Sequence, residues 1–291
     1  MNLSVVTINH NSSENTIKLL ESLKNQTDNG FGVIVVDNNS EHEELQKLKN
    51  YRTEATNIVF IENDQNLGFS EGNNVGIKKA LANGADWVVL LNPDTWVEND
   101  FISRLKPNLE GKEGIIGLAI DEGSRTAYGG KVEWLKPTLS HITTSHVVNE
   151  KTVDKYAIGG AMAIHKNVFD KIGFLDEKYF LYFEAADFSV RARKAGVPVE
   201  FLPEVKVRHS VSASTKKLGS PMLLRYHYRN ALYFNIKNGP WYIKLLVWPW
   251  SWFVALKQVL KIAVEKNREQ SKAIFAGVSD FYKNRYGKLH A

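Results

Sequence analysis

Asn92-Pro93-Asp94 closes the apolar run Trp87-Val88-Val89-Leu90-Leu91. Such a run predicts a buried strand that stops abruptly, because Pro93 has no N–H for a neighbouring strand. Asp94 then stands at the carboxyl end of a strand, where open α/β sheets take ligands. Its carboxylate could hold a divalent cation, and the cation could hold a diphosphate. An Asx-Pro turn that merely ends a strand has the same local sequence. Asp37, just past the β-branched run Phe31 to Val36, falls on the same predicted sheet edge. His209 ends the alternating run Val205 to Arg208 and opens a loop with Ser212, Ser214 and Thr215. A neutral imidazole there could complete a metal shell with Asp94 or bond a diphosphate, and those hydroxyls could touch phosphate; a surface histidine reads the same way. Glu184, Asp187 and Arg191 are spaced i, i+3, i+7, so one helix face would present all three. Acids at a helix start plus an Asp187–Arg191 salt bridge explain that spacing equally well.

Two glycine-bearing stretches complete the chemistry. Asn63 to Gly76 is rich in Asn and Gly and feeds a predicted helix over Val75 to Leu81. Gly68, Gly72 and Gly76 permit close backbone approach, and a helix N-terminus favours an anion. The spacing is not the dinucleotide G-x-G-x-x-G. Gly159-Gly160 interrupts the strand-like run Tyr156 to His165, which marks either a packing bulge or a ligand pressed on the backbone.

The elements that would carry these residues alternate. Strands are predicted at Val5–Ile8, Phe31–Val36 and Asn57–Glu62, with helices over Glu14–Asn25 and Glu43–Tyr51 between them. Short-linked alternation of this kind predicts a doubly wound, mostly parallel sheet. A helix is expected over Phe101 to Leu109. From Gly111 to Thr152 the chain is irregular and polar, and we expect strands bordering an acceptor cleft, with His141 and His146 at the surface.

The 291 residues contain no cysteine, which excludes disulfides and thiolate metal sites and suits a reducing cytosol. No basic and apolar leader precedes Leu3, so no secretory signal is read. The net charge of +5 is unevenly spread, with −6 over residues 1–215 and +11 from Lys216 onward. The basic part therefore seeks something anionic. Four of the seven tryptophans (Trp241, Trp248, Trp250 and Trp252) fall in its first helix-like stretch. Its uncharged run, Leu245 to Leu256, is too short for a span of about 20 residues. Trp with flanking Lys257, Lys261, Lys266, Arg268 and Lys272 predicts a helix lying in a membrane interface and attracted to anionic lipid. A helical lid or dimer contact is the alternative. Arg229, on a helix expected over Leu223 to Phe234, could approach a diphosphate or bridge back to the main domain. The acidic first part argues against nucleic acid.

Val5-Val6-Thr7-Ile8-Asn9-His10-Asn11, Val35-Val36-Asp37-Asn38-Asn39-Ser40, Asn66-Leu67-Gly68-Phe69 and Asn92-Pro93-Asp94 resemble, in order and spacing, the bacterial family 2 glycosyltransferases. Within these they are similar to the rhamnosyl- and galactofuranosyltransferase branch, over roughly residues 3–235. The resemblance implies a GT-A fold, a nucleotide-diphosphate sugar such as dTDP-rhamnose or a UDP-sugar as donor, and inversion at the anomeric carbon. It implies donor contacts from Thr7, Asn9, Asn11, Asp37, Asn39, Asn66, Gly68, Phe69, Asn73, Asn92 and Asp94, with Asp37 on the base. It implies acceptor contacts from Gly159, Gly160, Ala161, Tyr182 and Glu184, and a Mn²⁺ or Mg²⁺ ion on Asp94 and His209. The family often has Asp-x-Asp where this chain has Asn92-Pro93-Asp94, so one anionic ligand is missing. The family's Phe-Glu-Asp-x-Asp reads Phe183-Glu184-Ala185-Ala186-Asp187, and alanine cannot move a proton. Ala185 at the expected base position leaves three readings: an inactivated variant, a chain that uses Glu184 or Asp187 instead, or a non-catalytic sugar-nucleotide or glycan-binding protein.

The expectation is an α/β GT-A domain over residues 1–215 followed by a basic, Trp-rich helical region over 216–291. The expected role is that of a cytoplasmic transferase at the inner face of the membrane, extending an undecaprenyl-diphosphate-linked glycan of a surface polysaccharide such as lipopolysaccharide.

Overall fold

The structure is a computed structural model and describes residues 1–52, 58–148, 154–209 and 219–289. The loop with Ser212, Ser214 and Thr215, and the expected boundary between the two regions, lie outside the described residues.

The chain opens with β1 (Leu3–Asn9), α1 (Ser13–Lys24), β2 (Phe31–Asp37), α2 (His42–Arg52) and β3 (Ile58–Glu62). It continues through α3 (Gly68–Ala82), β4 (Trp87–Leu91), β5 (Thr95–Trp96), α4 (Phe101–Leu109), β6 (Ile115–Asp121) and β7 (Thr126–Ala127). Then come β8 (Gly129–Lys131), β9 (Ser140–Ile142), α5 (Ser145–Val148), β10 (Lys155–Tyr156), β11 (Ala161–His165) and α6 (Lys166–Ile172). The last elements are α7 (Glu184–Lys194), β12 (Val199–His209), α8 (Pro221–Asn238), α9 (Trp241–Ala263) and α10 (Arg268–Tyr282).

The main sheet runs β3-β2-β1-β4-β11-β6-β12-β5, with β7 beside β6. Strands β3, β2, β1 and β4 are mutually parallel, β11 is antiparallel to β4 and β6, and β12 is parallel to β6. The buried runs of β1, β2 and β4 are apolar on both faces because helices cover both. Leu3 and Val5 pack with Leu19 and Leu23 of α1, while Val6, Ile34 and Val36 pack with Ile77 and Ala80 of α3. Strands β10, β8 and β9 form a separate small sheet.

This topology collects residues distant in sequence at one edge. Strands β1, β2 and β4 end there with Asn9, Asp37 and the Asn92–Asp94 turn. Strand β11 runs the other way, with Ala161 opposite Leu91, so Gly159 and Gly160 arrive at the same edge. Strand β12 ends there on His209, whose register partner is Thr95 of β5.

Two details differ from the sequence reading, while the basic tail is helical as expected. The Asn/Gly-rich stretch is helical from Gly68, not from Val75. Gly72 and Gly76, four residues apart, sit on one helix face pressed against Asn38 and against Val6 and Val36. The Tyr156–His165 run splits between two sheets at 157–160. The basic tail is a set of packed helices, with Leu232 of α8, Val247 and Val254 of α9, and Ile274, Val278 and Phe281 of α10 sharing a core.

Candidate active site

Asp37 is 1% exposed and held by three hydrogen bonds, from Asn9 Nδ2 at 2.8 Å, Ser40 Oγ at 2.6 Å and the Ser40 amide at 2.9 Å. A carboxylate accepts about four, so one site is left for a ligand. Asn9 also accepts from Thr16 Oγ1, so its own amide is committed to orienting Asp37. Thr7 is fully buried, two residues back along β1. Asn11, at φ +50°, gives its amide N–H to Ser40 Oγ and accepts from the Glu41 amide. Asn39 is exposed beside them, also at positive φ.

From Asp37 a chain of contacts runs along the sheet edge. Asn38 Nδ2 donates to the Gly68 carbonyl at 2.8 Å, and Asn66 Oδ1 accepts from the Gly68 amide. Gly68 has φ +74°, and a Cβ there would collide with the Phe180 carbonyl, so only glycine fits. The next amide, Phe69 N–H, donates to that carbonyl at 2.7 Å, and Asn73 Nδ2 bonds the Phe69 carbonyl. A Cβ on Gly159 would meet the Phe69 ring at 3.1 Å and Ala185 Cβ at 3.2 Å, so three distant segments meet at this glycine. A Cβ on Gly160 would collide with the Asn92 side chain. The Asn92 amide in turn donates to the Gly160 carbonyl at 3.0 Å. Ala161 follows, fully buried in β11.

Asn92 leads to Asp94, whose Oδ2 is 3.2 Å from His209 Nε2. His209 Nδ1 lies 3.7 Å from Glu122 Oε1. Burial works against a charged His209 ring, but the Asp94 and Glu122 carboxylates outweigh it and raise its pKa above the ordinary value. Among the described residues no group of three His, Cys, Asp or Glu side chains could hold a metal ion alone. Asp94 and His209 offer two donors of the kind divalent cations take, so any cation here must draw its remaining ligands from a bound substrate or water.

The start of α7 is held in an unusual backbone. Tyr182 and Phe183 are consecutive non-glycine residues at φ +72° and +75°, a conformation that persists only where surroundings enforce it. Asn230 of α8 enforces it by donating to the carbonyls of Leu181 at 2.8 Å and Tyr182 at 3.1 Å. His227 stacks on Tyr182 with ring centroids 4.0 Å apart. The result aims Glu184 and Ala185 inward. Glu184 is 8% exposed, and its Oε2 finds no hydrogen-bond donor among the described residues. Burial, with a smaller push from Asp187, raises its pKa to about 7.

Asp187 is spent differently. Fully buried, it accepts from Arg191 Nε at 2.7 Å and Asn238 Nδ2 at 2.7 Å, with Lys237 Nζ at 2.8 Å. It ties α7 to the end of α8. Arg229 is also fully buried, bonding Asn230 Oδ1 and the carbonyls of Arg285 and Gly287, so its contacts are with the C-terminal tail. The sequence assigns no role to Asn38, Ser40, Glu122 or His227. Ser40 and Asn38 lie inside the Asp37 motif, where polarity was the available signal; Glu122 and His227 join only through tertiary contacts.

Residues 4–173 match the model of glycosyl transferase family 2. The chain is 25% identical over 250 residues to the dTDP-rhamnosyl transferase RfbF of Shigella flexneri, covering 81% of each chain. It is 23% identical over 301 residues to the N-acetylglucosaminyl-diphospho-decaprenol L-rhamnosyltransferase of Mycobacterium tuberculosis, covering 94% of this chain and 96% of that one. Among solved structures, the mannosyltransferase PcManGT from Pyrobaculum calidifontis, in complex with GDP-Man and Mn²⁺, superposes with a TM-score of 0.58. That match covers 97% of this chain and 87% of the other at 14% identity, a likeness of fold, and the fold is GT-A.

Proposed function

Because the chain belongs to glycosyl transferase family 2, we propose that it transfers a sugar, with inversion, from a nucleotide-diphosphate donor to a lipid-linked glycan, and that dTDP-rhamnose or a UDP-sugar is the donor. The observation that carries this reading is the unbroken line of contacts from Asp37 through Gly68, Gly159 and Asn92 to the Asp94–His209 pair. A nucleotide laid along that edge would meet Asp37 at its base end and Asp94 at its diphosphate end. Gly68, Phe69, Asn73 and Asn92 would border it, with Thr7, Asn9, Asn11, Asn39 and Asn66 shaping the base end.

Asp94 and His209 would hold a Mn²⁺ or Mg²⁺ ion, which would supply positive charge to the departing diphosphate. The acceptor hydroxyl would enter over Gly159, Gly160 and Ala161, beside Tyr182. Its oxygen attacks the anomeric carbon as the bond to the diphosphate oxygen breaks, and its proton passes to a base. Ala185 has nothing to accept that proton. Glu184, one residue earlier and poised to ionise near neutral pH, is the acceptor this chain offers, and Asp187 holds α7 in position for it.

Residues 1–215 would carry the transfer and 216–291 the docking to lipid. Helix α9 buries a narrow stripe of Ile243, Val247, Ser251, Val254 and Gln258. It leaves Trp241 at 74% and Trp252 at 70% exposed, with Leu245, Phe253, Leu256 and Leu260 beside them. An apolar surface of that extent, flanked by Lys244, Lys257 and Lys261, fits the acyl–headgroup boundary of an anionic membrane. Among the described residues no helix is long and apolar enough to cross a membrane. A site at the inner face of the cytoplasmic membrane, serving a surface polysaccharide, follows from a polyprenyl-linked acceptor.

The test is sugar release from dTDP-rhamnose and UDP-sugars, with Mn²⁺, by wild type and Ala185→Asp. Turnover already present in wild type and little changed in Ala185→Asp supports Glu184 as the base, whereas a rise of roughly 10²- to 10⁴-fold, the usual worth of a positioned base, would mark the chain as an inactivated variant. Tight donor binding with no turnover in either protein would favour the sugar-nucleotide or glycan-binding reading that Ala185 itself suggests.

A further inference from the structure

A cleft that shares Asp94 with the candidate active site is otherwise lined by residues given no role above. It lies between α1 and the β4–β5 turn, has a volume of about 630 Å³, and counts Asp94, Thr95 and Trp96 in its wall. That volume is within the roughly 300–1,000 Å³ range of small-ligand sites.

Its wall mixes apolar side chains, Ile17 and Trp96 among them, with polar ones. Helix α1 buries Thr16, Leu19, Leu20 and Leu23 against the sheet, as an amphipathic helix should. Asn15, Lys18, Ser22 and Asn25 follow one another at helical spacing and line the cleft. Trp96, 39% exposed, and Asn99 line the same cleft from the β5 side. The two sides are fixed to each other. The Val97 amide donates to Ser22 Oγ at 3.2 Å, and Gln26 joins the Glu98 carbonyl at 2.8 Å to the Ile102 amide at 2.9 Å. The cleft is therefore preformed.

We propose that this cleft is a carbohydrate subsite, occupied by a sugar unit of the glycan acceptor beyond the one that is glycosylated. A sugar ring offers an apolar C–H face that can lie on an indole, and hydroxyls that pair with side-chain amides and a carboxylate. Trp96, Asn15, Asn25, Asn99 and Glu21 provide that combination. Charge decides against a phosphate-bearing ligand, because Lys18 is offset by Glu21 and Asp94. Asp94 lies in the wall of this cleft and also contacts His209, so a glycan seated on Trp96 would continue directly toward the reacting centre. This inference rests on the transferase reading for the identity of the glycan, but not for the binding itself.

The experiment is saturation-transfer NMR of the full chain with chitobiose, maltose and free rhamnose, without nucleotide or cation. Wild type should show transfer to at least one of these sugars. Trp96→Ala should weaken it roughly tenfold, the order of one aromatic contact, while Trp96→Phe retains most of it. Asn99→Ala gives a second readout that leaves the β5–β12 pairing untouched, and unchanged thermal midpoints establish that the variants fold. No transfer from any of the three sugars to wild type, or transfer indifferent to both Trp96→Ala and Asn99→Ala, overturns the subsite. Sugar binding that depends on Trp96 in a protein that binds no nucleotide sugar would uphold the subsite and sink the transferase reading instead.

Discussion

Glu184 makes the stability of the protein depend on pH in a defined direction. An ordinary glutamate titrates near 4.5, whereas burial raises Glu184 to about 7. Each factor of ten in acidity is about 1.4 kcal/mol, so holding Glu184 ionised in the folded chain costs about 3 kcal/mol. The folded state keeps a proton that the unfolded chain releases. Stability from this group is therefore complete below pH 4.5 and is lost as pH rises through 7. Glu184→Gln removes the titration and keeps the shape. Urea unfolding of wild type and Glu184→Gln at intervals from pH 5 to 9 isolates the effect, because every other group is common to both. The variant should gain on wild type by about 2–3 kcal/mol across the range, most of it between pH 5 and 7. Turnover, if Glu184 accepts the proton, should rise between about pH 6 and 8 in wild type and fall roughly 10²-fold or more in the variant. Parallel stability curves would refute the claim that Glu184 is buried and strained by its charge. A pH-independent rate would remove it as the base.

Three further outcomes follow from particular contacts. Asp187→Ala strips the carboxylate from Arg191, Lys237 and Asn238; it should destabilise by about 3–5 kcal/mol in urea unfolding, as loss of one partner of a buried pair does. Gly68→Ala forces a side chain into a left-handed backbone against the Phe180 carbonyl; donor affinity measured by calorimetry should fall with a stability loss of about 1–2 kcal/mol. Trp252→Asp with Phe253→Asp puts charge on the exposed face of α9; flotation with anionic vesicles should weaken roughly 10- to 100-fold while the thermal midpoint holds, since neither side chain is in the core.

Much of the fold was legible because parallel sheets write themselves as apolar runs. Val5–Ile8, Phe31–Val36 and Trp87–Leu91 are strands where the pattern predicts them, and their carboxyl ends carry Asn9, Asp37 and Asp94. The helix at Glu184 was legible from spacing alone. The start of α3 was not, because Gly68 and Gly72 read as breakers in isolation. Gly68 takes a left-handed φ of +74° against Phe180 and Gly72 packs on Asn38, so tertiary contacts set where the helix starts. The two-residue strand β5 is fixed only by its pairing with Arg208 and His209, more than a hundred residues away. Glu122 meets His209 through the same sheet, with nothing in its neighbours to announce it. From sequence Arg229 could meet a phosphate or bridge back to the main domain, but the buried arginine finds its partners in the carbonyls of Arg285 and Gly287, and no local pattern specifies that. The exposure of Trp241 and Trp252 also needed the tertiary structure, since an apolar helix reads equally well as core.

The central claim is that Asp94 and His209 grip a nucleoside diphosphate through a divalent cation. Calorimetric titration of UDP and dTDP into wild type and Asp94→Asn, each with Mn²⁺ and with excess chelator, tests it most directly. We expect at least one nucleotide to bind wild type with Mn²⁺, and to lose tenfold or more in affinity on chelation or on substitution of Asp94. Equal affinity of each nucleotide under all four combinations of protein and cation, or no binding of either nucleotide in any, would contradict the account.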